Sequence, residues 1–308
     1  MQKNKMCEFI FSELIFENKE RLTNEFSEIA LQLRKDVIMS LYYAGSGHSG
    51  GSLGMADIFA VLYFGGVMRY NPRDWANTTR DRFVLSAGHI SPILYASLAR
   101  AGFFPPSELN SLRKLGSRLQ GHPGLDVELP GIETSAGSLG QGVSIAVGMA
   151  MSHRYLDKSD QLVFTVTGDG ELQEGSIWEA AMAASNYKLG NLCWIIDNND
   201  CQIDGRVHEV MNIYPLESKF ESFGFDVVTI DGHHYAHIYS TLKKFKENAP
   251  KSNKPLCIIA KTYMGRGISF MEDDYRWHGI PPNKDQAIKA LAELELIEKQ
   301  INELNKLN

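Results

Sequence analysis

Residues 168–205 read GDGELQEGSIWEAAMAASNYKLGNLCWIIDNNDCQIDG. The Gly168-Asp169-Gly170 triplet closes an apolar, β-like run, Leu162-Val163-Phe164-Thr165-Val166. A helical segment follows, then a second apolar run from Leu192 to Ile196, which ends in Asp197-Asn198-Asn199. Strand, acidic turn, helix, strand and polar turn make a βαβ unit of a parallel sheet. Both turns of such a unit lie at the carboxyl ends of their strands, on one edge of the sheet. Asp169 and Asn199, thirty residues apart in the chain, are thereby expected to be neighbours in space. Two hard oxygen ligands beside glycine-rich backbone suit Mg²⁺ or Ca²⁺ bridging a diphosphate. The glycines let the backbone approach phosphates without a Cβ in the way. An acidic glycine turn alone is common. The spacing, the flanking strands and the later word Glu174-Gly175 set this one apart.

Bulk properties narrow the class. The 308 residues suit one large α/β domain or two small ones, and a hydrophobic fraction of 44% is ample for a buried core. A net charge of −6 argues against a nucleic-acid or anionic-membrane surface. The four cysteines, Cys7, Cys193, Cys201 and Cys257, have no metal-like spacing and suit a reducing, cytoplasmic compartment. Glu8, Glu13 and Glu17 interrupt the apolar part of the N-terminus, so it does not read as a signal peptide, and no apolar run is long enough to cross a bilayer.

Residues 1–22 read as an extension whose Phe9, Phe11, Leu14, Ile15 and Phe16 need a partner surface, with the main domain at 23–308. From Thr23 apolar residues recur every three or four positions, predicting a helix capped by Thr23 or Asn24. It runs into a glycine-rich loop holding His48. Met55–Met68 predicts a helix, Arg82–Leu85 a short strand leading to Gly88-His89, and Leu94–Ala101 and Pro106–Leu115 two more helices. A third loop frames His122 with Gly121 and Pro123. A histidine flanked by glycine is ordinary taken singly. Several in loops, on a sheet whose loops carry its site, form a constellation. The segment Ser138-Leu139-Gly140-Gln141-Gly142 opens a helix predicted over Val143–Tyr155 and offers N–H groups to an anion, or a cap at Ser138. Its glycine spacing is not the dinucleotide fingerprint. Phe225–Ile230 and Leu256–Ala260 read as strands, Ala236–Phe245 and Lys284–Leu304 as helices, and Trp277-His278-Gly279 supplies a fourth loop histidine.

GDG followed some thirty residues later by Asn-Asn resembles the thiamine diphosphate motif. The words LQEGSIWEA, IDG, SLGQG, KTYMGRG, SFME and WHG narrow that resemblance to the transketolases, over roughly residues 23–300. The resemblance implies the thiamine diphosphate-binding fold, an α/β architecture with a parallel sheet and helices on both faces, as in the N-terminal subunit of a split transketolase. It implies metal ligands Asp169, Asn199 and the backbone carbonyl of Cys201, where a cysteine costs nothing because only its carbonyl is used. It assigns Ser138, Leu139, Gly140, Gly168, Gly170, Glu171 and Glu174 to the cofactor pocket, Gly170 touching the diphosphate through its N–H. His48, His89, His122 and His278 become the catalytic candidates: His48 and His278 nearest the hydroxyls of the transferred group, His122 at the donor's terminal hydroxyl, His89 beside the cofactor. Neutral imidazoles near their working pKa suit such proton transfers. Many members of the family carry proline where this chain has Ser49, a departure expected to alter loop stiffness rather than chemistry.

The family's cofactor-activating glutamate and most of its phosphate-binding arginines belong to a second, pyrimidine-binding domain that has no counterpart here. The chain therefore reads as half an active site. The resemblance implies completion by a C-terminal transketolase subunit, with two copies of each chain and sugar or sugar-phosphate substrates. Two alternatives stand beside this: a component of a 2-oxo-acid decarboxylating or dehydrogenase-type thiamine enzyme, and a non-catalytic cofactor-binding regulator. SFME, WHG and the four histidines, which suit a polyhydroxylated substrate, weigh against them.

Overall fold

The apolar runs become five parallel strands whose alternate side chains feed two separate cores. The computed structural model describes residues 19–305. Its main sheet comprises β1 (Arg82–Leu85), β2 (Val163–Gly168), β3 (Leu192–Asn198), β6 (Asp226–Asp231) and β7 (Leu256–Lys261), in the order β1-β2-β3-β7-β6, all parallel. A two-stranded hairpin, β4 (Cys201–Gln202) and β5 (Gly205–Arg206), stands apart from it. Side chains alternate across a strand. Phe83, Leu85, Phe164, Val166, Cys193, Ile195 and Ile258 accordingly enter one core. Val84, Val163, Leu192, Trp194, Ile196, Cys257 and Ile259 enter the other. Burial on both faces explains why these strands read as continuous apolar runs.

The first core is covered by α1 (Lys19–Ala44), α3 (Ala56–Phe64), α4 (Ser91–Ala101), α9 (Tyr235–Asn248) and α10 (Lys284–Asn305). The second is covered by α5 (Gln141–Met151), α6 (Gly175–Asn186) and α8 (Leu216–Phe223). Two short helices, α2 (Gly50–Gly54) and α7 (Val207–Val210), shape loops at the carboxyl edge of the sheet. Among the described residues no helix is long and apolar enough to cross a membrane.

Several sequence expectations are corrected. Helix α1 is already formed at Lys19, so Thr23 and Asn24 lie inside it rather than capping it; Lys19-Glu20-Arg21-Leu22 are all good helix formers. The helix expected over Met55–Met68 stops at Phe64, because Gly65-Gly66 follows and Gly66 takes a φ of +66°. Pro106–Leu115 is not an α-helix: a 3₁₀ segment ends at Ser111, and Arg113, at φ +59°, turns the chain back so that its N–H reaches Leu119 O at 2.8 Å. Ser138 does not cap α5, whose N-cap is Gly140 in the left-handed region. Helix α8 and the β4–β5 hairpin were not foreseen, although Leu216, Phe220 and Phe223 at helical spacing and the Asp204-Gly205 turn signal both. Phe9, Phe11, Leu14, Ile15 and Phe16 lie outside the described residues.

One buried ion pair locks the helices behind the site. Arg34 of α1 grips Asp57 of α3 through two bonds of 2.9 and 2.7 Å, and its Nε donates to Leu53 O in α2 at 3.2 Å. Tyr235 OH and His233 Nδ1 also meet Asp57, each at 2.7 Å. His233 Nε2 accepts the Tyr263 N–H at 2.9 Å, so the proton of the neutral ring lies on Nδ1 and is donated to Asp57. Burial opposes the Asp57 charge, but Arg34 and His233 hold its carboxyl well below the usual range. Removing one partner strands the other charge out of water, at about 3–5 kcal/mol. Asp57→Ala should therefore lower unfolding stability by about that amount. Arg34→Ala should cost a similar amount, and the double variant less than the sum. Chemical denaturation of the three variants measures this.

Candidate active site

The register of the central strands brings the two polar turns together. Gly168 of β2 pairs with Asp197 of β3, and Asp197 with Ala260 of β7. Asp169 and Asn199 thus leave the same sheet edge, one residue beyond their strands. They open into a cavity of about 350 Å³ lined by His48, His89, His122 and His278, together with Leu139, Gly168, Asp169, Gly170, Glu171, Glu174, Asn199 and Cys201. Ser138 and Gly140 are outside the lining, Ser138 exposed and Gly140 buried. A larger cavity of about 470 Å³ lies on the far side of the sheet, between α9 and the start of β6, and holds none of these residues.

The four histidines converge from four loops. Ring centroids lie 5.1 Å apart for His48–His89, 5.6 Å for His48–His278, 6.3 Å for His48–His122 and 5.0 Å for His89–His278, the last pair stacked. Nδ1 of His48 and Nδ1 of His278 are buried without a hydrogen-bond partner among the described residues. Close packing of the loops requires glycine at Gly88, where a Cβ would lie 2.0 Å from Ala136 O. Burial first, then the neighbouring rings and Arg113, pushes His48 down to about 4. Burial likewise lowers His89, His122 and His278. At neutral pH all four rings are uncharged, and in the unliganded chain they are weaker bases than the sequence expectation of a near-neutral pKa.

The carboxyl groups shift the other way. Burial raises Asp169 to about 6, Asp197 to about 7 and Glu171 to about 7. Asp169 accepts N–H bonds from Gly170 (2.8 Å), Asn198 Nδ2 (2.9 Å) and Asp200 (2.6 Å). Asn199 Oδ1 accepts from Cys201 N at 2.9 Å, and its Nδ2 donates to Asp197. Thr262 also donates to Asp197. Asp169, Asp197 and Asn199 all bring side-chain oxygens to this cavity. Among the described residues no cluster of three or more His, Cys, Asp or Glu side chains is arranged to hold a metal.

Glu171 lines the cavity and also pins the loops around it. Its carboxylate accepts from Ser86 Oγ (2.5 Å), Gly140 N (2.8 Å) and Gly168 N (3.1 Å), while Ser86 Oγ accepts the Val143 N–H at 3.0 Å. The Gly140 N–H, expected as a donor to an anion, is thus already used, as is that of Gly170, which donates to the capping side chain of Asp169. Glu171 ties the end of β1, the start of α5 and the GDG turn into one unit. Sequence reading also missed Arg113, which sits against Gly47 and Gly121 between the His48 and His122 loops. It is exposed, and its guanidinium has no hydrogen-bond or ion-pair partner among the described residues. A lone arginine nine residues before His122, in a stretch read as helix, carries no pattern of its own.

Residues 27–298 match the family described as "Transketolase, thiamine diphosphate binding domain". The chain belongs to the transketolase family. It is 40% identical over 273 residues to an apulose-4-phosphate transketolase subunit of Phocaeicola vulgatus, covering 88% of this chain and 95% of that one. It is 40% identical over 263 residues to a 6-deoxy-6-sulfo-D-fructose transketolase subunit of a Clostridium species, covering 85% and 94%. Human transketolase is 42% identical over 269 residues, but the match spans 87% of this chain and only 41% of the human one. Among solved structures, the Campylobacter jejuni transketolase superposes with a TM-score of 0.77 at 35% identity, over 89% of this chain and 43% of that one. The chain thus carries the thiamine diphosphate-binding domain of the transketolase family. It spans about two-fifths of single-chain relatives but nearly the whole of the two subunit relatives.

The Glu171 pin yields a direct expectation. Gln cannot accept at both ends of its amide, so Glu171→Gln sets an NH₂ against either the Gly168 N–H or the Gly140 and Ser86 donors. A buried mismatch of this kind costs about 1–3 kcal/mol. Denaturation should show that loss, and calorimetry a weaker affinity for thiamine diphosphate, because Glu171 both lines the cavity and pins the loops around it.

Proposed function

We propose that this chain is the diphosphate-side half of a two-chain, cytoplasmic transketolase that moves a two-carbon ketol unit from a ketose to an aldose. The observation that carries the reading is the convergence of four histidines with Asp169 and Asn199 in one cavity. Residues 23–308 act as the domain, and the extension at 1–22 contributes to contact with the partner.

Mg²⁺, or Ca²⁺ in its place, would be held by Asp169, Asn199 and the Cys201 carbonyl, and would neutralise the charge of the cofactor's diphosphate. The residues fit such an ion: Asp169 is buried, its charge is disfavoured by burial, and Asn199 and Cys201 line the same cavity. Leu139 and Gly168–Gly170 wall the diphosphate side, and Ser138 and Gly140 act from behind it. Bound thiamine diphosphate supplies the nucleophilic carbon on which transketolase chemistry depends. This chain's side chains then anchor the cofactor, exclude water and move protons. His48 and His278, adjacent and with unbonded Nδ1 atoms, serve the hydroxyls of the transferred group. His89, packed against both rings, would line the site beside the cofactor, and His122, with Arg113 behind its loop, would serve the outer end of the sugar.

Arg113 supports a substrate bearing an anionic group. The names of two relatives carry one, a phosphate in apulose 4-phosphate and a sulfonate in 6-deoxy-6-sulfo-D-fructose. Arg113→Ala should raise KM for phosphorylated sugars much more than for the corresponding free sugars.

The partner carries the pyrimidine-binding domain. Glu174 is exposed at the cavity lip, and Ile203, Val210 and Met211 are exposed apolar residues next to it, at 63%, 44% and 61% accessibility. The outer faces of α5 and α6, with Ile145 and Met182 exposed, suit contact with a second copy about a two-fold axis, giving two copies of each chain.

Two tests follow. Calorimetry should show that thiamine diphosphate binds only with Mg²⁺ or Ca²⁺, and not to Asp169→Ala. Because Asp169 must be ionised to hold the cation, affinity should fall as pH drops through about 6, by roughly tenfold per pH unit below it. Cofactor binding unchanged in chelator would remove the metal assignment. Separately, the purified chain should lack ketol transfer in a coupled assay and gain it on mixing with a chain bearing the pyrimidine-binding domain. Full activity of the isolated chain would refute the half-site reading.

A further inference from the structure

Ser49 occupies the position next to His48 and is completely buried. Its side chain does not cap α2. Instead Oγ points across the site to the backbone that carries His278, 2.7 Å from Ile280 O and 3.2 Å from Trp277 O. A hydroxyl has one proton, so the shorter contact is the principal bond and the longer one shares it. The two carbonyls bracket His278, one residue before it and two after.

On its N-terminal side this backbone is held by the 3₁₀ turn Tyr275–Trp277, with the His278 N–H on Tyr275 O at 2.9 Å. No helix or strand runs from His278 to Asn283. The His278 ring has no hydrogen bond at Nδ1 to fix it, and rests on ring contacts with His48 and His89. The two segments already touch: a Cβ at Gly50 would lie 3.0 Å from Trp277 O, and one at Gly279 would lie 3.6 Å from His48 Nε2. Proline, alanine or glycine at position 49 would leave this packing without a donor.

We infer that Ser49 is a positioning residue that sets His278 against His48 by bonding the backbone on either side of it. It touches neither reacting atoms nor cofactor. The sequence expectation that this position affects stiffness alone is thereby extended, because the stiffness is transmitted to a second histidine loop. The inference rests on the reading of His48 and His278 as the proton-handling pair.

Ser49→Ala in the reconstituted two-chain enzyme should lower kcat on the order of 10- to 100-fold, the scale of a displacement near 1 Å. KM and cofactor affinity should stay near wild type. In a His278→Ala background the same change should cost nothing further. Multiplicative losses, or a wild-type kcat in Ser49→Ala, would overturn the inference. Ser49→Cys keeps the volume with a weaker donor and should fall between. A second readout needs no activity: in the histidine-labelled chain alone, NMR should show the ring signals of His278 and His48 displaced by Ser49→Ala, with those of His153 and His237 unmoved. Unmoved His278 signals would refute the role. A wild-type mixture without ketol transfer, together with displaced His278 signals, would instead refute the catalytic reading and leave the positioning contact standing.

Discussion

The pairing of Gly168 with Asp197 across β2 and β3 is the constraint on which the site depends. A one-residue slip in a parallel ladder would send each side chain to the opposite face. Trp194, now buried with its Nε1–H donated to Thr167 Oγ1 at 2.9 Å, would exchange cores with Ile195. Two cores of different shape therefore enforce one register, and that register puts Asp169 beside Asn198, Asn199 and Asp200. The acidic turn needs no contact designed specifically to gather it. It is gathered because both flanking strands are packed on both sides.

What the register gathers is costly, and the costs have opposite signs in pH. Asp169, Asp197 and Glu171 have folded values of about 6 to 7, raised above those of an unfolded chain. Their contribution to stability is present below about pH 4 and is lost as pH rises through the folded values. His48 runs the other way. Its value is depressed from 6.5 to about 4, so its contribution is present above 6.5 and is lost as pH falls through the folded value. Between these limits the two sets oppose one another. Above pH 7 the buried carboxylates remain as an uncompensated cost that a bound cation would relieve. An unliganded chain carrying such a cost is consistent with a site evolved to be filled.

Much of this was legible in the sequence for a simple reason. Strands buried on both faces leave continuous apolar runs, and loops that approach one another closely leave glycines, so β1, β2, β3, β7 and the histidine loops announce themselves. Partner choice across the fold leaves no such trace. Glu171 in the GDG turn reads as a pocket residue and does line the cavity, but nothing local shows that its carboxylate also accepts from Ser86, Gly140 and Gly168. Ser49 looks like a neutral departure from proline until its hydroxyl is seen to reach residues 228 and 231 positions away. Arg113 hides in a stretch with helical composition that a left-handed residue ends. Local pattern reports where the backbone goes, whereas the hydrogen-bond partner of a single polar side chain depends on the whole topology.

The loops that carry the histidines must be still without being strands or helices, and the Arg34–Asp57 pair supplies part of that stillness. Arg34 holds α2 through Leu53 O, and α2 begins two residues after His48. Asp57 holds His233, which takes the N–H of Tyr263; two residues on, the Gly265 N–H bonds to Gly50 O at 2.9 Å. A chain of bonds thus runs from a charge pair in the dry core, through one imidazole of fixed tautomer, to the backbone on which His48 is mounted. Buried ion pairs are poor devices for raising stability, since an apolar replacement of the same shape often does as well. Their directionality is what an apolar cluster cannot supply, because each acceptor lone pair here fixes the angle of a different element. The pair is best understood as the mount on which two loops are aligned, with its contribution to stability a secondary consequence.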